Sequence, residues 1–367
     1  MRVKLDKVCK RIYAGGDVPK DRYSTVKTAE YAIPIYANAE KGNGLYGYTD
    51  TARENELSIT VAARGTIGFT AIRREPFLPV VRLITVVPDL STVSERYLYY
   101  ALRNCKPASS GTSIPQLTVP DIKKNEIELY SLSVQETIAD KLDAVGRVIE
   151  LRQQQLQTLD ELVKARFVEL FGDRNDPQIE LIDLIIDGAG LSYGIVQPGE
   201  DGTGDMGVLR PVDMVDGKIA TTSIKYIDRS IGDGFKKTEL TGDELLITVR
   251  GTTGITALTD ERFKKMNVTR GIAVVRYDRN KINPVYLNAF LNADESQRYI
   301  QEHTRGATLQ QINLSDLRVQ KIIVPPMELQ ERFAAFAEQI DKSKVVVQKA
   351  LEEAQLLFDS LMQKYFG

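Results

Sequence analysis

Two stretches of 40 residues decide the organisation of this chain: residues 133–172, SVQETIADKLDAVGRVIELRQQQLQTLDELVKARFVELFG, and residues 328–367, ELQERFAAFAEQIDKSKVVVQKALEEAQLLFDSLMQKYFG. They align without a gap at an offset of 195 residues, which places Gln135 on Gln330. The alignment extends upstream, where Gly-Thr-Ser-Ile-Pro-Gln-Leu at 111–117 falls on Gly-Ala-Thr-Leu-Gln-Gln-Ile at 306–312. A repeat of this length indicates two copies of one domain, which do the same job at two places.

Both stretches have the spacing of a long amphipathic helix. Residues recur in a 4-3-4-3 rhythm at Val145, Ile149, Arg152, Leu156, Leu159, Val163, Arg166 and Leu170, and again at Ile340, Lys344, Val347, Leu351, Ala354, Phe358, Leu361 and Tyr365. Each helix is expected to run about 38 residues, roughly 57 Å. We expect the two seams to pack against each other in antiparallel order, because a head-to-tail repeat can close around a pseudo-twofold axis. The alternative is that each helix packs on its own domain.

The helix limits and the segments between them give the domain boundaries. Ser133, with Glu136 three residues later, fits a capping box, and Pro325-Pro326 stops the preceding segment. Residues 1–132 and 173–327 contain short β-like runs separated by Gly, Pro and Asn turns. The predicted fold class is α+β: two mixed β-rich domains, 1–132 and 173–327, separated by two long antiparallel coiled-coil helices, 133–172 and 328–367.

A second apolar line lies off the helix seam and recurs at the same offset. Its members are Leu151, Leu162 and Phe167 in the first helix and Val346, Leu357 and Met362 in the second. A two-helix coiled coil does not use such a line. It packs either against the neighbouring β-rich domains or against helices of a partner, completing a four-helix bundle.

Composition narrows the class of protein. Charged residues make up 27% and hydrophobic residues 43%, and no apolar run is long enough to span a membrane. The start of the chain has no apolar signal core, so we expect a cytoplasmic protein. The overall charge is −2, but residues 1–132 carry 19 Lys and Arg against 14 Asp and Glu. Any DNA affinity must therefore come from local basic patches.

The usual catalytic and cofactor signatures are missing or out of context. One histidine and two distant cysteines argue against a zinc site of the usual kind. Gly202-Thr-Gly-Asp-Met-Gly207 has the spacing of a dinucleotide loop, but neither a strand before it nor a helix after it. Asn283-Pro-Val-Tyr286 resembles the loop of adenine methyltransferases, but the repeat explains it better as a helix start at Pro284. We expect no covalent chemistry, no metal and no cofactor.

The residues favour polar recognition instead. Arg64-Gly-Thr-Ile-Gly68 and Arg250-Gly-Thr-Thr-Gly254 each follow a strand-like run, and both repeated stretches near 111 and 306 are rich in small polar residues. Glycines let the backbone approach a ligand, while hydroxyls, amides and arginine reach phosphates and base edges. The alternative for any one residue is a tight turn with a solvated side chain. The candidate DNA-binding residues are Arg64, Thr66, Ser110, Thr112, Ser113, Gln116, Arg250, Thr252, Thr253, Arg305, Thr308, Gln310 and Gln311.

Taken together, these features resemble the specificity subunit of type I restriction-modification systems over essentially the whole chain. The first half carries Pro34-Ile35-Tyr36, Asn43-Gly44, Gly47-Tyr48-Thr49 and the Arg64 loop, which look like the family's target-recognition domain. The second half has Gly232-Asp-Gly-Phe235 in place of the Gly-Tyr-Thr turn. The order and duplication of motifs carry the resemblance.

The resemblance implies a non-catalytic subunit. Each recognition domain would read one half of a bipartite site in double-stranded DNA, and the helices would set the distance between the halves. Two methyltransferase subunits would dock on the helices and modify adenine-N6, and restriction subunits would join them to cut unmodified DNA. Two other classes stay open: a duplicated coiled-coil scaffold without a role on DNA, and a standalone DNA-modifying enzyme.

Overall fold

The computed structural model describes residues 1–105, 116–172, 174–202, 204–215 and 217–367. It contains two compact units. Unit 1 comprises Met1–Gln154 and Gln348–Gly367, and unit 2 comprises Gln155–Val347. The division passes through the middle of both long helices, so each helix contributes one half to each unit.

The described helices and strands follow the predicted alternation of β-rich segments and long helices. The helices are α1 (Glu95–Arg103), α2 (Val119–Lys124), α3 (Leu132–Phe171), α4 (Pro284–Asn292), α5 (Asp294–His303), α6 (Leu314–Arg318) and α7 (Met327–Phe366). The strands of unit 1 are β1 (Arg2–Lys4), β2 (Cys9–Ala14), β3 (Ile33–Tyr36), β4 (Leu45–Thr49), β5 (Ser58–Val61), β6 (Thr70–Arg73), β7 (Leu78–Pro79), β8 (Ile84–Pro88) and β9 (Glu126–Glu128). Those of unit 2 are β10 (Gln178–Glu180), β11 (Ser192–Tyr193), β12 (Met206–Leu209), β13 (Met214–Val215), β14 (Lys218–Ile219), β15 (Lys225–Ile227), β16 (Leu245–Thr248), β17 (Thr256–Leu258), β18 (Asn267–Val268), β19 (Ile272–Val275) and β20 (Lys321–Ile323).

The sheets of the two units correspond strand for strand. Unit 1 has an antiparallel sheet in the order β2-β8-β5-β6, a mixed sheet β4-β3-β7 and the pair β1-β9. Unit 2 repeats them as β11-β19-β16-β17, β15-β12-β18 and β10-β20, and adds the hairpin β13-β14. The predicted fold class, with its internal repeat, is confirmed.

The long helices run antiparallel, as the contacts inside unit 2 show. Asp160 lies 2.6 Å from Lys344 in an ion pair, Arg166 lies over the ring of Phe336, and Phe167 packs edge-on against Phe333. As the residue number increases along α3, the number of its contact partner in α7 decreases. The seam residues are half-buried or buried throughout both helices, which fits the 4-3 spacing.

Each half of a long helix also packs on the β-rich part of the unit to which that half belongs. Both expected modes of packing therefore occur. In unit 1 the core includes Ile138 and Leu142 from the start of α3 and Phe358 from α7. In unit 2 it includes Phe333 from the start of α7 and Phe171 from the end of α3. In each unit, the start of one long helix and the C-terminal half of the other therefore complete the hydrophobic core.

Residues related by the 195-residue offset make equivalent contacts in the two units. The buried Gln135 amide oxygen accepts a hydrogen bond of 2.8 Å from the Ser94 backbone, at the N-cap of α1. Gln330 does the same for Asn283, at the N-cap of α4. Phe366 packs on Tyr97 at 4.9 Å between ring centroids, and in unit 2 Phe171 packs on Tyr286 at 4.8 Å. Helix start and helix end are thus held in the same way in both copies.

The predicted N-cap at Ser133 is wrong. The helix already begins at Leu132, with Ser131 O accepting from the backbones of Val134 and Gln135. Glu136 does not cap the helix and instead forms an ion pair with Arg96 of α1. The contact with α1 therefore determines which partner the Glu136 carboxylate binds.

Pro284 begins α4, with Asn283 as its N-cap, so the Asn-Pro-Val-Tyr stretch is a helix start. Strand β12, and not a helix, follows Gly202. No helix in the described part of the chain combines the length and the apolar character that crossing a bilayer requires.

Candidate nucleic-acid interface

Two glycine-containing loops occupy the same place in the two units. The loop of residues 62–69 joins β5 to β6, and the loop of residues 249–255 joins β16 to β17. Each closes by a backbone hydrogen bond from its last glycine, Gly68 N to Ala62 O (2.9 Å) and Gly254 N to Thr248 O (2.8 Å). A second bond of 2.8 Å runs in the other direction, from Ala62 N to Phe69 O and from Thr248 N to Ile255 O. Both closing glycines have positive φ, +85° and +90°, a conformation that glycine adopts without strain.

In unit 1 the loop presents Arg64 and Thr66 to solvent. Gln116 comes from a distant part of the sequence, and its side-chain oxygen accepts a hydrogen bond of 3.0 Å from Arg64 Nε. The neighbouring backbone is joined by a bond from Leu117 N to Ala63 O (2.9 Å). The predicted residues Ser110, Thr112 and Ser113 lie outside the described residues.

In unit 2 the predicted residues come together by equivalent backbone bonds. Ile312 N donates to Val249 O at 3.0 Å, which corresponds to the Leu117–Ala63 bond of unit 1. Gly251 N also donates to Gln310 O (2.9 Å), and Arg305 and Gln311 exchange two backbone bonds of 2.8 Å. The resulting surface exposes Thr252, Arg305, Thr308 and Gln310, with Arg250 and Gln311 half-buried.

Two of these side chains are already engaged within unit 2. Thr253 is 5% exposed, and its hydroxyl lies 3.0 Å from that of Thr304, so it supports the loop rather than facing solvent. Arg305 has a carboxylate, Asp316, at 3.7 Å. Arg64 and Arg250, by contrast, have no carboxylate partner within the described residues, which leaves their charge available to an anion.

Sequence analysis missed Asn38, which joins the Arg64 loop to its surroundings. Its side-chain oxygen accepts from Ala63 N at 2.8 Å, and its amide nitrogen donates to Val81 O. Asn38 has no counterpart in the unit 2 loop, so the repeat gave no signal for it. A search for asparagine next to a Gly-containing turn would have found it.

A second missed residue, Arg73, fixes the loop of residues 41–44 beside this region. Its guanidinium stacks on the Tyr36 ring at 3.6 Å and donates to Asn43 O at 2.8 Å. Burial lowers the pKa of the Arg73 guanidinium. Asn43 itself has a φ of +55°, which asparagine tolerates better than most residues.

Metal-ligating groups and cysteine thiols have the following arrangement in the described residues. No group of three or more His, Cys, Asp or Glu side chains among them could hold a metal ion. Burial raises the pKa of the Cys9 and Cys105 thiols to about 12. A protonated thiol is a poor nucleophile. The geometry is therefore that of two polar surfaces whose loop arginines lack a carboxylate partner among the described residues, suited to binding an anionic, hydrogen-bonding polymer.

A family described as the type I restriction modification DNA specificity domain matches residues 1–161 and 204–355. The chain belongs to this specificity family. The two matched segments each contain one of the loops described above.

Curated relatives from the same family include two putative type I specificity subunits of Mycoplasma pneumoniae, 35% identical over 169 residues and 37% over 164 residues. Those alignments cover 43% and 42% of this chain, and 46% and 48% of the relatives, just under half of their length. The specificity subunit of the Escherichia coli type I restriction enzyme EcoBI is 22% identical over 84% of this chain and 72% of its own.

Solved specificity subunits have the same fold. The S subunit of a type I restriction-modification system from M. genitalium superposes with a TM-score of 0.58 at 15% identity, covering 100% of this chain and 96% of that one. A chain from work on complex assembly and conformational transition of the type I R-M system gives 0.61 at 18% identity, covering 100% and 97%.

The off-seam apolar line of this specificity-family chain divides between the units. Unit 1 carries Leu151, Leu357 and Met362, and unit 2 carries Leu162, Phe167 and Val346. Four of the six are exposed, between 44% and 69%. Phe167 and Met362 instead pack against the hydrophobic cores, as the alternative interpretation expected. Each unit thus exposes two members of this line on its helices: Leu151 and Leu357 in unit 1, and Leu162 and Val346 in unit 2.

Proposed function

We propose that this chain is the DNA-reading subunit of a type I restriction-modification complex. Each unit reads one half of a split, asymmetric site in double-stranded DNA. The chain itself is non-catalytic, and adenine-N6 methylation and cleavage belong to methyltransferase and restriction subunits that it brings to the site. Such a protein acts in the cytoplasm and needs no cofactor of its own.

The observation that carries this proposal is the matched pair of Arg-Gly-Thr loops. Both are closed by the same backbone bond, and both expose or half-expose an arginine without a carboxylate partner among the described residues. Arginine next to hydroxyl and amide groups is the usual means of gripping phosphates and guanine edges. The two copies differ in their side chains, since Thr308 and Gln310 stand where the first copy has Ser113 and Pro115. Different side chains in the same frame are what an asymmetric site requires.

The test is co-expression with a type I methyltransferase subunit from the same genome, followed by mapping of N6-methyladenine. We expect methylation at a single motif made of two short words separated by an unread spacer. A complex that forms without any sequence-dependent methylation contradicts DNA reading and favours the scaffold alternative. Methylation by the purified chain alone would instead identify it as the enzyme.

A second prediction concerns the docking of the methyltransferase subunits. We expect the pair Leu162→Gln and Leu357→Gln to weaken the complex at least tenfold, because each change puts a polar amide into an apolar contact. Since these side chains are 44% and 51% exposed, the free chain should keep its helical content and its unfolding midpoint. Affinity is measured by titrating the methyltransferase subunit against the labelled chain.

The matched control for docking is Val26→Gln, which changes an apolar residue that is 68% exposed in unit 1 and lies outside both helices. It should leave the affinity unchanged. If the double variant loses its fold, the two leucines are core residues. If it binds like the wild type, the partner docks elsewhere.

A further inference from the structure

Each unit has a tight turn that leads into the strand at the centre of its four-stranded sheet. In unit 1, Val81 N donates to Gly16 O at 2.8 Å and Leu83 N to Val80 O at 3.0 Å. In unit 2, Arg270 N donates to Ile195 O at 2.9 Å and Ile272 N to Thr269 O at 3.0 Å. These bonds identify Val81-Arg82 and Arg270-Gly271 as equivalent turns.

Both turns expose an arginine, Arg82 in unit 1 and Arg270 in unit 2. Within the described residues, neither guanidinium has an ion pair or a hydrogen bond. The two arginines do not align in the repeat, because one is the second residue of its turn and the other is the first. The sequence comparison therefore could not pair them, whereas the backbone bonds do.

Each turn is joined by hydrogen bonds to the neighbouring Arg-Gly-Thr loop. In unit 2, Val249 N donates to Gly271 O at 2.8 Å. In unit 1, Asn38 takes the place of that direct bond, since it binds both Ala63 N and Val81 O. The backbone of the turn is thus tied to Ala63, the residue before Arg64, in one unit and to Val249, the residue before Arg250, in the other.

The second residue of the turn differs between the units, Arg82 in unit 1 and Gly271 in unit 2, and Gly271 has a steric reason. A side chain on Gly271 would put its Cβ 2.6 Å from Pro211 Cγ, so unit 2 has room only for glycine there. In unit 1 both Val81 and Arg82 have positive φ, +52° and +61°. Such a conformation is strained for a β-branched residue, and strain of this kind clusters at functional sites.

We propose that Arg82 and Arg270 are further DNA-contacting residues, each binding a backbone phosphate beside the half-site that its unit reads. This inference rests on the proposed function and extends it to a second element of each interface. An exposed, unpaired guanidinium is always charged and needs no rearrangement to meet a phosphate. A phosphate contact would fix the position of the Arg-Gly-Thr loop on the duplex without reading sequence.

The experiment uses the full chain in complex with its methyltransferase subunits. Binding to a duplex that contains the mapped methylation motif is measured between 50 and 200 mM salt, for the wild type and for Arg82→Ala and Arg270→Ala. Each variant should bind more weakly. The ratio of wild-type to variant affinity should shrink by about 3.5-fold across this range, as expected when a variant makes one phosphate contact fewer than the wild type. The methylated motif should be unchanged.

Two further variants make the result specific. Arg82→Lys keeps the charge and should retain most of the affinity, whereas an equal weakening in the lysine and alanine variants would contradict a phosphate contact. Arg74→Ala removes an exposed arginine that follows β6, at the end of that strand away from the Arg64 loop. This variant should leave the salt dependence at the wild-type value. If Arg82→Ala and Arg270→Ala both keep the affinity and the salt dependence of the wild type, this inference is wrong, but the proposed function is unaffected. If the wild-type complex itself shows no preference for the motif over a scrambled duplex, the proposed function fails.

Discussion

Replacing Phe333 with alanine is expected to lower the free energy of unfolding by about 3–5 kcal/mol. The ring is fully buried and packs against Phe167 and Phe171, with centroid distances of 5.5 and 5.8 Å. It comes from the start of α7, whereas both partners come from the end of α3. Truncation leaves a cavity where the two helices and the β-rich part of unit 2 meet, and a buried aromatic cluster collapses poorly around such a space.

The matched control is Phe336→Ala, one turn further along the same helix. Phe336 is only half-buried, so its truncation should cost about 1 kcal/mol. Urea unfolding followed by circular dichroism measures both variants, and hydrogen exchange shows where protection falls. A cost at Phe333 no larger than that at Phe336 would mean that the helices do not complete the core of unit 2.

The fold was predictable because the repeat and the helix spacing are long-range signals. Seam positions such as Leu159 and Val347 recur over about seven turns, and one misplaced residue does not erase the pattern. The N-cap was less predictable: Ser131 and Ser133 are both acceptable caps, and Arg96 of another helix decides how Glu136 is used. The residues near the helix start therefore do not show which partner Glu136 binds, because that partner lies on another helix.

The candidate interface was predictable where it lay within the repeat. The Arg64 and Arg250 loops were found, and the structure brings each to its distant partner segment, at Gln116 and at Gln311. Which hydroxyls face solvent was beyond the sequence, since Thr252 is exposed and the adjacent Thr253 is buried. The turn at Arg82 was missed because its equivalence to Arg270 exists only in backbone hydrogen bonds.

Exchange of residues 1–132 for the matching domain of a relative is expected to change one half of the methylated motif and leave the other half intact. The new domain brings its own loops near Arg64 and Ser113, and a mismatch between a loop and a base pair costs about 1–3 kcal/mol at that position alone. The loops near Arg250 and Gln311 stay as they are. Sequencing of N6-methyladenine in cells that carry the hybrid and the methyltransferase subunit gives the result directly.

The structure dictates how such a hybrid is built. The donor must keep an aromatic residue at Tyr97, because Phe366 packs on it, and a free backbone donor at Ser94 for Gln135. The reciprocal exchange of residues 173–327 is the matched control and should change only the other half. It must keep the partners of Phe171 and Gln330, namely Tyr286 and the Asn283 backbone.

The length of the unread spacer should be the same in both hybrids, because each exchange replaces only the first residue of one long helix, Leu132 of α3 or Met327 of α7. Each helix has 40 residues and a length of about 60 Å. DNA advances about 34 Å per turn. We therefore expect the half-sites to lie between one and two turns apart, centre to centre. A continuous wild-type motif, or a hybrid in which both halves change, would contradict two independent readers. A spacer that changes with the exchanged domain would mean that the domains, and not the helices, set the distance.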